Sequence, residues 1–208
     1  MTGAKTDRDA PLSSPGTPST ASADGRRLRS ERNRQQIVEA MIELIEAGNP
    51  APSAARVAEE AEVSLRTVFR HFEDMDTLYR EIAREMLIRV RPILQRPFLQ
   101  RSWQGRLREL LDRRIEAYEI LMPVKVCSAM RRFQSDYLMH DHRQFLAMEH
   151  ASIRTHLPEA LADDPVRFQS ISAAMSFDLW HRLRHDQGLP VETAREVVVD
   201  MVERLIER

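Results

Sequence analysis

Lysine is nearly missing from this chain of 208 residues: only Lys5 and Lys125 occur, and 29 of its 31 basic residues are arginine. That bias fits a GC-rich coding sequence and by itself assigns no binding role. Cysteine is scarcer still. Cys127 stands alone, which excludes an intramolecular disulfide and any zinc or iron–sulfur site built from several cysteines. The 6 glycines are scattered, so no glycine-rich phosphate loop exists, and neither does an H-E-x-x-H helix or a G-x-S-x-G elbow. No enzyme chemistry and no cofactor is expected. No run approaches the ~18 apolar residues of a membrane span, and Lys5 and Arg8 lead into Pro, Ser and Thr rather than a signal-peptide core. The expectation is a cytoplasmic chain without a membrane partner. Charge of one sign is lacking too: the net formal charge is −1, so the chain as a whole has no electrostatic bias toward polyanions.

What is present is 42% apolar and 30% charged residues, a globular composition sufficient for one large domain or two small ones. Residues 10–25 are almost entirely Pro, Ser, Thr, Ala and Gly and cannot bury enough apolar area to offset chain entropy. Residues 1–29 therefore read as a disordered tail with a basic end. From Arg26 to Gln36 five arginines face one acid, Glu31, a local excess of positive charge at the entrance to the first helix. Arg29, Arg32 and Arg34 are candidates for an arm reaching into a DNA minor groove.

From Ser30 onward the apolar period is close to 3.6, with no period-2 strand and no hairpin signal. The pattern predicts an all-α chain of about nine helices. Ile37, Met41, Leu44 and Ile45 form the first stripe, ended by Gly48-Asn49-Pro50. Two very short helices follow, capped by Ser53 and Ser64. Asp74 caps a fourth, stopped by Pro92, and a fifth runs from Trp103 to Met122, broken at Pro123. Further helices are expected at 124–138, 141–157, 165–186 and 191–207.

The two short helices carry the specific signal. Only Glu62-Val63-Ser64 separates them, room for a sharp turn and nothing more. Small Ala58 and Ala61 permit close approach. The outward positions of the next helix are Leu65, Arg66, Thr67, Arg70 and His71, with no acid before Glu73. A basic, hydroxyl-bearing helix of this kind suits a phosphate-lined major groove.

The segment from Ser53 through Val57, Val63-Ser64-Leu65-Arg66-Thr67-Val68-Phe69-Arg70-His71-Phe72 to Leu78 resembles the N-terminal domain of TetR-type transcriptional regulators, the likeness covering residues 32–79. More loosely, Phe177 to Leu189 resembles the last two helices of such proteins. The resemblance implies a three-helix DNA-binding domain at 30–73 and a helical ligand-binding and dimerisation domain at 74–208. It implies a homodimer binding a double-stranded DNA operator palindrome, most simply a repressor released by a small lipophilic inducer. Residue by residue, it implies phosphate contacts from Ser53, Thr67 and His71 and base-edge reading by Leu65 and Arg66. Phe69 replaces the usual tyrosine and leaves an apolar contact, Met75 replaces a usual lysine, and Glu62 stands where glycine is typical. Glu62 is thus expected in a left-handed backbone conformation.

In the C-terminal region, Leu111, Tyr118, Met122 and Cys127 fall on apolar stripes of the middle helices, as do Met130, Phe133, Tyr137 and Phe145. They are either plain core or the lining of a deformable, methionine-rich pocket. Cys127 reads as an inert small hydrophobe. Phe168, Ile171, Met175 and Leu179 keep one stripe, and Ala194, Val198, Met201, Val202 and Leu205 keep another on the final helix. A stripe on a terminal helix needs a cover, and a partner subunit supplies one. His140, His142 and His150, and His181 with His185, have spacings open to metal binding, but they read as polar cap and surface residues, so no metal is expected. Glu109, Asp112, Glu116 and Glu119 read as a solvated face. The reading from another class is an α-helical enzyme or small-molecule carrier with a vestigial helix-turn-helix. Turnover without duplex binding discriminates it.

Overall fold

A computed structural model describes residues 20–207. The expected tail at 1–29 lies outside the described residues up to residue 19; from Thr20 the chain is already helical. Ten α-helices follow and, among the described residues, no strand. Helix α1 runs Thr20–Glu46, α2 Ala54–Glu60, α3 Leu65–His71, α4 Met75–Leu94 and α5 Trp103–Arg131. Then come α6 Asp136–Arg154, α7 Glu159–Ala162, α8 Pro165–Ala174, α9 Phe177–His181 and α10 Val191–Glu207. The basic stretch before Ser30 is thus the first turns of α1 rather than an extended arm, because Ala, Leu and Arg are strong helix formers and nothing in Arg26–Arg29 breaks the helix.

The expected caps are in place. Ser53 Oγ accepts the Arg56 N–H at 3.2 Å, Ser64 Oγ the Thr67 N–H at 3.1 Å, and Asp74 Oδ1 the Thr77 N–H at 2.7 Å. Prolines behave differently from expectation. Pro92 lies inside the last turn of α4, and Pro123 lies inside α5, which continues nine residues farther than its amide-deficient ring would allow alone. Pro123 removes the bond to the Glu119 carbonyl, but both flanks are buried: Leu107 to Met122 in one core, Val124 and Cys127 in another. Packing on both sides overrides the break. The expected helix at 124–138 is therefore the end of α5, a short 3-10 turn at Arg132–Gln134, and the start of α6. Conversely, the expected helix at 165–186 is interrupted at Met175-Ser176. Arg114 and the Tyr118 hydroxyl both donate to the Met175 carbonyl at 3.0 Å, and Ser176 Oγ caps the new helix at Leu179 N.

The two cores divide the molecule. The N-terminal one gathers Ile37, Met41, Val57, Val68, Phe72 and Leu78, but it is completed by Tyr79, Ile82 and Met86 of α4 and by Val124, Cys127 and Leu138. A boundary at 73/74 therefore falls inside a packed unit. The second core is built on α5, α8 and α10. Its members include Phe168, Ile171, Met175, Ala194, Val198 and Val202, each at most 6% exposed. These stripes, expected to await a partner, are already covered by the chain's own helices; Leu179 and Leu205 pack partly against the same core, and Met201 alone of the set stays exposed. The acids of α5 likewise do structural work. Glu109 accepts the Gln100 N–H at 2.7 Å, Asp112 pairs with Arg195 at 2.8 Å, Glu116 with Arg96 at 2.7 Å, and Glu119 accepts from Trp180 and Arg184.

Candidate nucleic-acid interface and inner cleft

The turn between α2 and α3 is a Schellman motif. Val63 N–H donates to the Ala58 carbonyl at 2.9 Å and Glu62 N–H to that of Glu59 at 3.1 Å, the bond pattern that ends a helix on a left-handed residue. Glu62 has φ +52°, and is the one non-glycine residue with positive φ among those described. This turn, with Val57, Ala58 and Val68 buried beneath it, orients α3 so that one face is free.

That face combines exposed apolar groups with unpaired cations. Leu65 is 43% and Phe69 51% exposed; Arg66 and Arg70 lie beside them, exposed and in no ion pair with a described residue. On α2 the corresponding charge is spent internally, since Arg56 bridges Glu59 at 2.6 Å and Glu60 at 2.9 Å. Ser64 Oγ and Thr67 Oγ1 lie 2.9 Å apart at the N-terminus of α3 and are exposed to one side. Ser53 is exposed at the start of α2, and Met75 half-buried at the start of α4. His71 is half-buried, and its Nε2 is buried without a partner. Burial first, then Arg70 and Arg34, hold its pKa below the ordinary histidine range, so the imidazole is neutral at neutral pH.

Arg34 departs from its expected place on an arm. Its Nη1 donates to the His71 carbonyl at 3.0 Å, its Nη2 pairs with Glu81 at 3.0 Å, and its guanidinium lies 4.6 Å from the Phe72 ring centroid. It ties the C-terminal end of α3 to α1 and α4. Arg29 bonds back to the Gly25 carbonyl within α1, while Arg32 stays exposed.

A cleft of about 410 Å³, open to solvent on one side, lies between α5, α6 and the start of α9. Of the eight residues expected to line a pocket, Phe145 alone does so. Leu111, Tyr118 and Met122 are interior to the second core, Cys127 is interior to the first, and Tyr137 packs against the first from outside. Met130 and Phe133 are exposed, at 58% and 77%. The helical period correctly finds apolar faces but cannot say which one turns to a cavity. Burial raises the Cys127 thiol pKa, as an inert residue requires.

The missed lining is polar. Lys125, Arg132, His142 and Asp141 share the cleft with Phe145 and Phe177. Lys125 is half-buried, with Nζ 3.7 Å from the Phe145 ring centroid, and takes part in no hydrogen bond or ion pair with a described residue. Desolvation holds its pKa below the lysine range, against the opposing pull of Asp141, Glu149 and Asp178. Arg132 Nη1 lies 3.2 Å from a His142 ring nitrogen. The Glu149 carboxylate is committed elsewhere, accepting from the Tyr118 hydroxyl and from Phe177 N–H at 3.1 Å. A sequence signal for this site did exist: Lys125 is one of only two lysines, set in the middle of an apolar segment. Among the described residues, no three His, Cys, Asp or Glu side chains cluster as metal ligands; His181 stacks between Phe177 and His185. No described helix is long and apolar enough to cross a membrane.

No protein-family model and no curated protein matches the chain. Solved structures do. A transcriptional regulator from Rhodococcus sp. RHA1 superposes with a TM-score of 0.65 at 15% identity, over 84% of this chain and 96% of that one. The multidrug binding protein EbrR, complexed with imidazole, superposes with a TM-score of 0.53 at 20% identity, over 82% of this chain and 89% of that one. At these identities the likeness establishes the fold: the all-α architecture expected from the helix-turn-helix residues is the one the chain adopts.

Proposed function

We propose that this protein is a ligand-responsive, DNA-binding transcriptional regulator of the TetR type, a repressor that binds an operator palindrome as a homodimer. The observation that carries the reading is the free face of α3, where Arg66 and Arg70 find no internal partner beside exposed Leu65 and Phe69. Leaving two cations and two large apolar groups on one turn-and-a-half of helix has no stabilising use within the chain. It suits a major groove, which offers phosphates, guanine acceptors and thymine methyl groups together. Arg66 reads a base edge, Ser53, Thr67 and Arg70 grip the backbone, and Phe69 takes an apolar contact. His71, neutral and half-buried, serves as a hydrogen-bonding group at most.

The regulatory half is the cleft. Lys125, Ser128 and Arg132 line it, while neighbouring Val124 and Cys127 on the same stretch of α5 pack into the N-terminal core. Leu138 does both, and Ser135 Oγ, capping α6, donates to Asp76 of α4 at 2.8 Å. A ligand that shifts α5 or α6 therefore acts directly on α4 and the core beneath α3, which is how one site biases another. The likeness to a regulator and to a drug-binding protein supports this assignment. Dimerisation would use the outer faces of α8 and α10, where Val166 is 74% and Met201 37% exposed.

Selection of duplexes from a random pool tests the proposal. A recovered palindrome, bound with steep salt dependence and lost in Arg66→Ala/Arg70→Ala, supports it. Turnover of a small molecule with no duplex enriched would instead favour the enzyme or carrier reading.

A further inference from the structure

We infer that the cleft between α5, α6 and α9 takes a small amphipathic carboxylate, its head group on Lys125 and Arg132 and its apolar body against Phe145 and Phe177. This deepens the reading of the cleft as the regulatory site and rests on it. Lys125 carries three donors and has no oxygen acceptor among the described residues, only the face of Phe145 at 3.7 Å. A cation–π contact offsets part of the lost hydration, but an ammonium held away from water without an acceptor remains costly. Arg132 uses Nη1 toward His142 and forms no ion pair either, so most of its donors stay available.

The acids nearby do not cancel this. Glu149 is already saturated by Tyr118 and Phe177, and Asp178 is exposed and hydrated. Asp141 alone is half-buried and unpaired. Two unmatched cations against one unmatched carboxylate leave room for one more negative charge, and His142 reports that field: burial, then Arg132 and Lys125, hold its pKa down. Charge-assisted bonds to a carboxylate are among the stronger ones available. The apolar side of the site is made of flat surfaces, the Phe145 and Phe177 rings standing edge to face with centroids 6.3 Å apart, which suits an aromatic or short acyl body. The cleft volume of about 410 Å³ lies toward the small end of ligand sites.

The test titrates the full-length protein, without DNA, with three ligands that share a ring and differ in head group: naphthoate, naphthamide and naphthylmethylamine. Decanoate in a parallel arm separates an acyl body from an aromatic one. Calorimetry should give at least one carboxylate an affinity roughly tenfold above that of the neutral amide, a gap of about 1.4 kcal/mol. Lys125→Met should bring that carboxylate down to the amide's affinity and leave the amide unchanged, while Asp141→Asn should tighten the carboxylate. Should circular dichroism show the Met variant unfolded, Asp141→Asn decides: tightening supports the assignment, and unchanged or weaker binding overturns it. The assignment is also overturned if the amine or amide binds as tightly as both carboxylates, or if neither carboxylate binds at millimolar concentration. Duplex selection is scored separately. A protein that enriches an operator but prefers the amine loses this inference and keeps its regulatory role; one that binds naphthoate but no duplex does the reverse.

Discussion

Replacing Glu62 by glycine should stabilise the protein and sharpen its grip on DNA. Glu62 sits at φ +52°, where the Cβ of an L-residue crowds its own carbonyl at a cost of about 1–2 kcal/mol. Its Schellman bonds to Glu59 and Ala58 run through the backbone alone, so glycine keeps them. The exposed side chain makes no ion pair with a described residue, so little else is lost. Against this, glycine adds freedom to the unfolded chain, worth about 0.4–1 kcal/mol. The difference is a net gain of roughly 0.5–1 kcal/mol, which for a chain of this size raises Tm by about 1–4 °C. Differential scanning calorimetry of Glu62→Gly and Glu62→Ala separates the causes. Alanine removes the charge but keeps the Cβ, so it should leave Tm near the parent's. Both should bind operator more tightly at low salt, where a carboxylate near the phosphates repels most, and lose that advantage at high salt. A lower Tm for Glu62→Gly, or equal gains for glycine and alanine, would refute the argument from backbone strain.

Arg66→Ala should cost ~1–3 kcal/mol of discrimination at one position per half-site, whereas Thr67→Ala should weaken all sequences alike; specificity profiling against a randomised operator distinguishes the two. Arg34→Ala strips the His71 carbonyl and Glu81 of their partner and should lower Tm while reducing operator affinity without changing preference, a loss of about 1–3 kcal/mol in stability; Arg32→Ala should leave Tm unchanged. Val166→Glu with Met201→Glu should yield folded monomers by sedimentation, because both side chains already face outward. Val198→Glu instead buries a charge in the second core and should unfold the chain, seen as lost helical dichroism.

Local signals were legible where local physics decides. Ser53, Ser64 and Asp74 cap helices because their side chains reach N–H groups two or three residues on, and the Glu62 conformation follows from the three-residue turn alone. Signals that depend on a distant partner were not. Pro123 reads as a stop, yet burial of Val124 and Cys127 carries the helix through it. The stripes of α8 and α10 read as an interface because periodicity shows that a face is apolar, not which helix covers it; α5 does. The cleft was sought among methionines and aromatics, but its character comes from Lys125 and Arg132, whose significance lies in the lack of a partner, something only the fold reveals.

Because α5 threads both cores and Val124, Cys127 and Leu138 close the first one, neither half owns a complete interior. Melting should therefore be a single calorimetric event, with equal van't Hoff and calorimetric enthalpies, rather than two independent transitions. A fragment ending at residue 73 would leave its hydrophobic floor missing and would not fold as an isolated headpiece, which limits how this DNA-reading element can be transplanted onto other scaffolds. Evolution faces the same restriction: the recognition surface is free to change side chain by side chain, but it travels with the helix that senses the ligand.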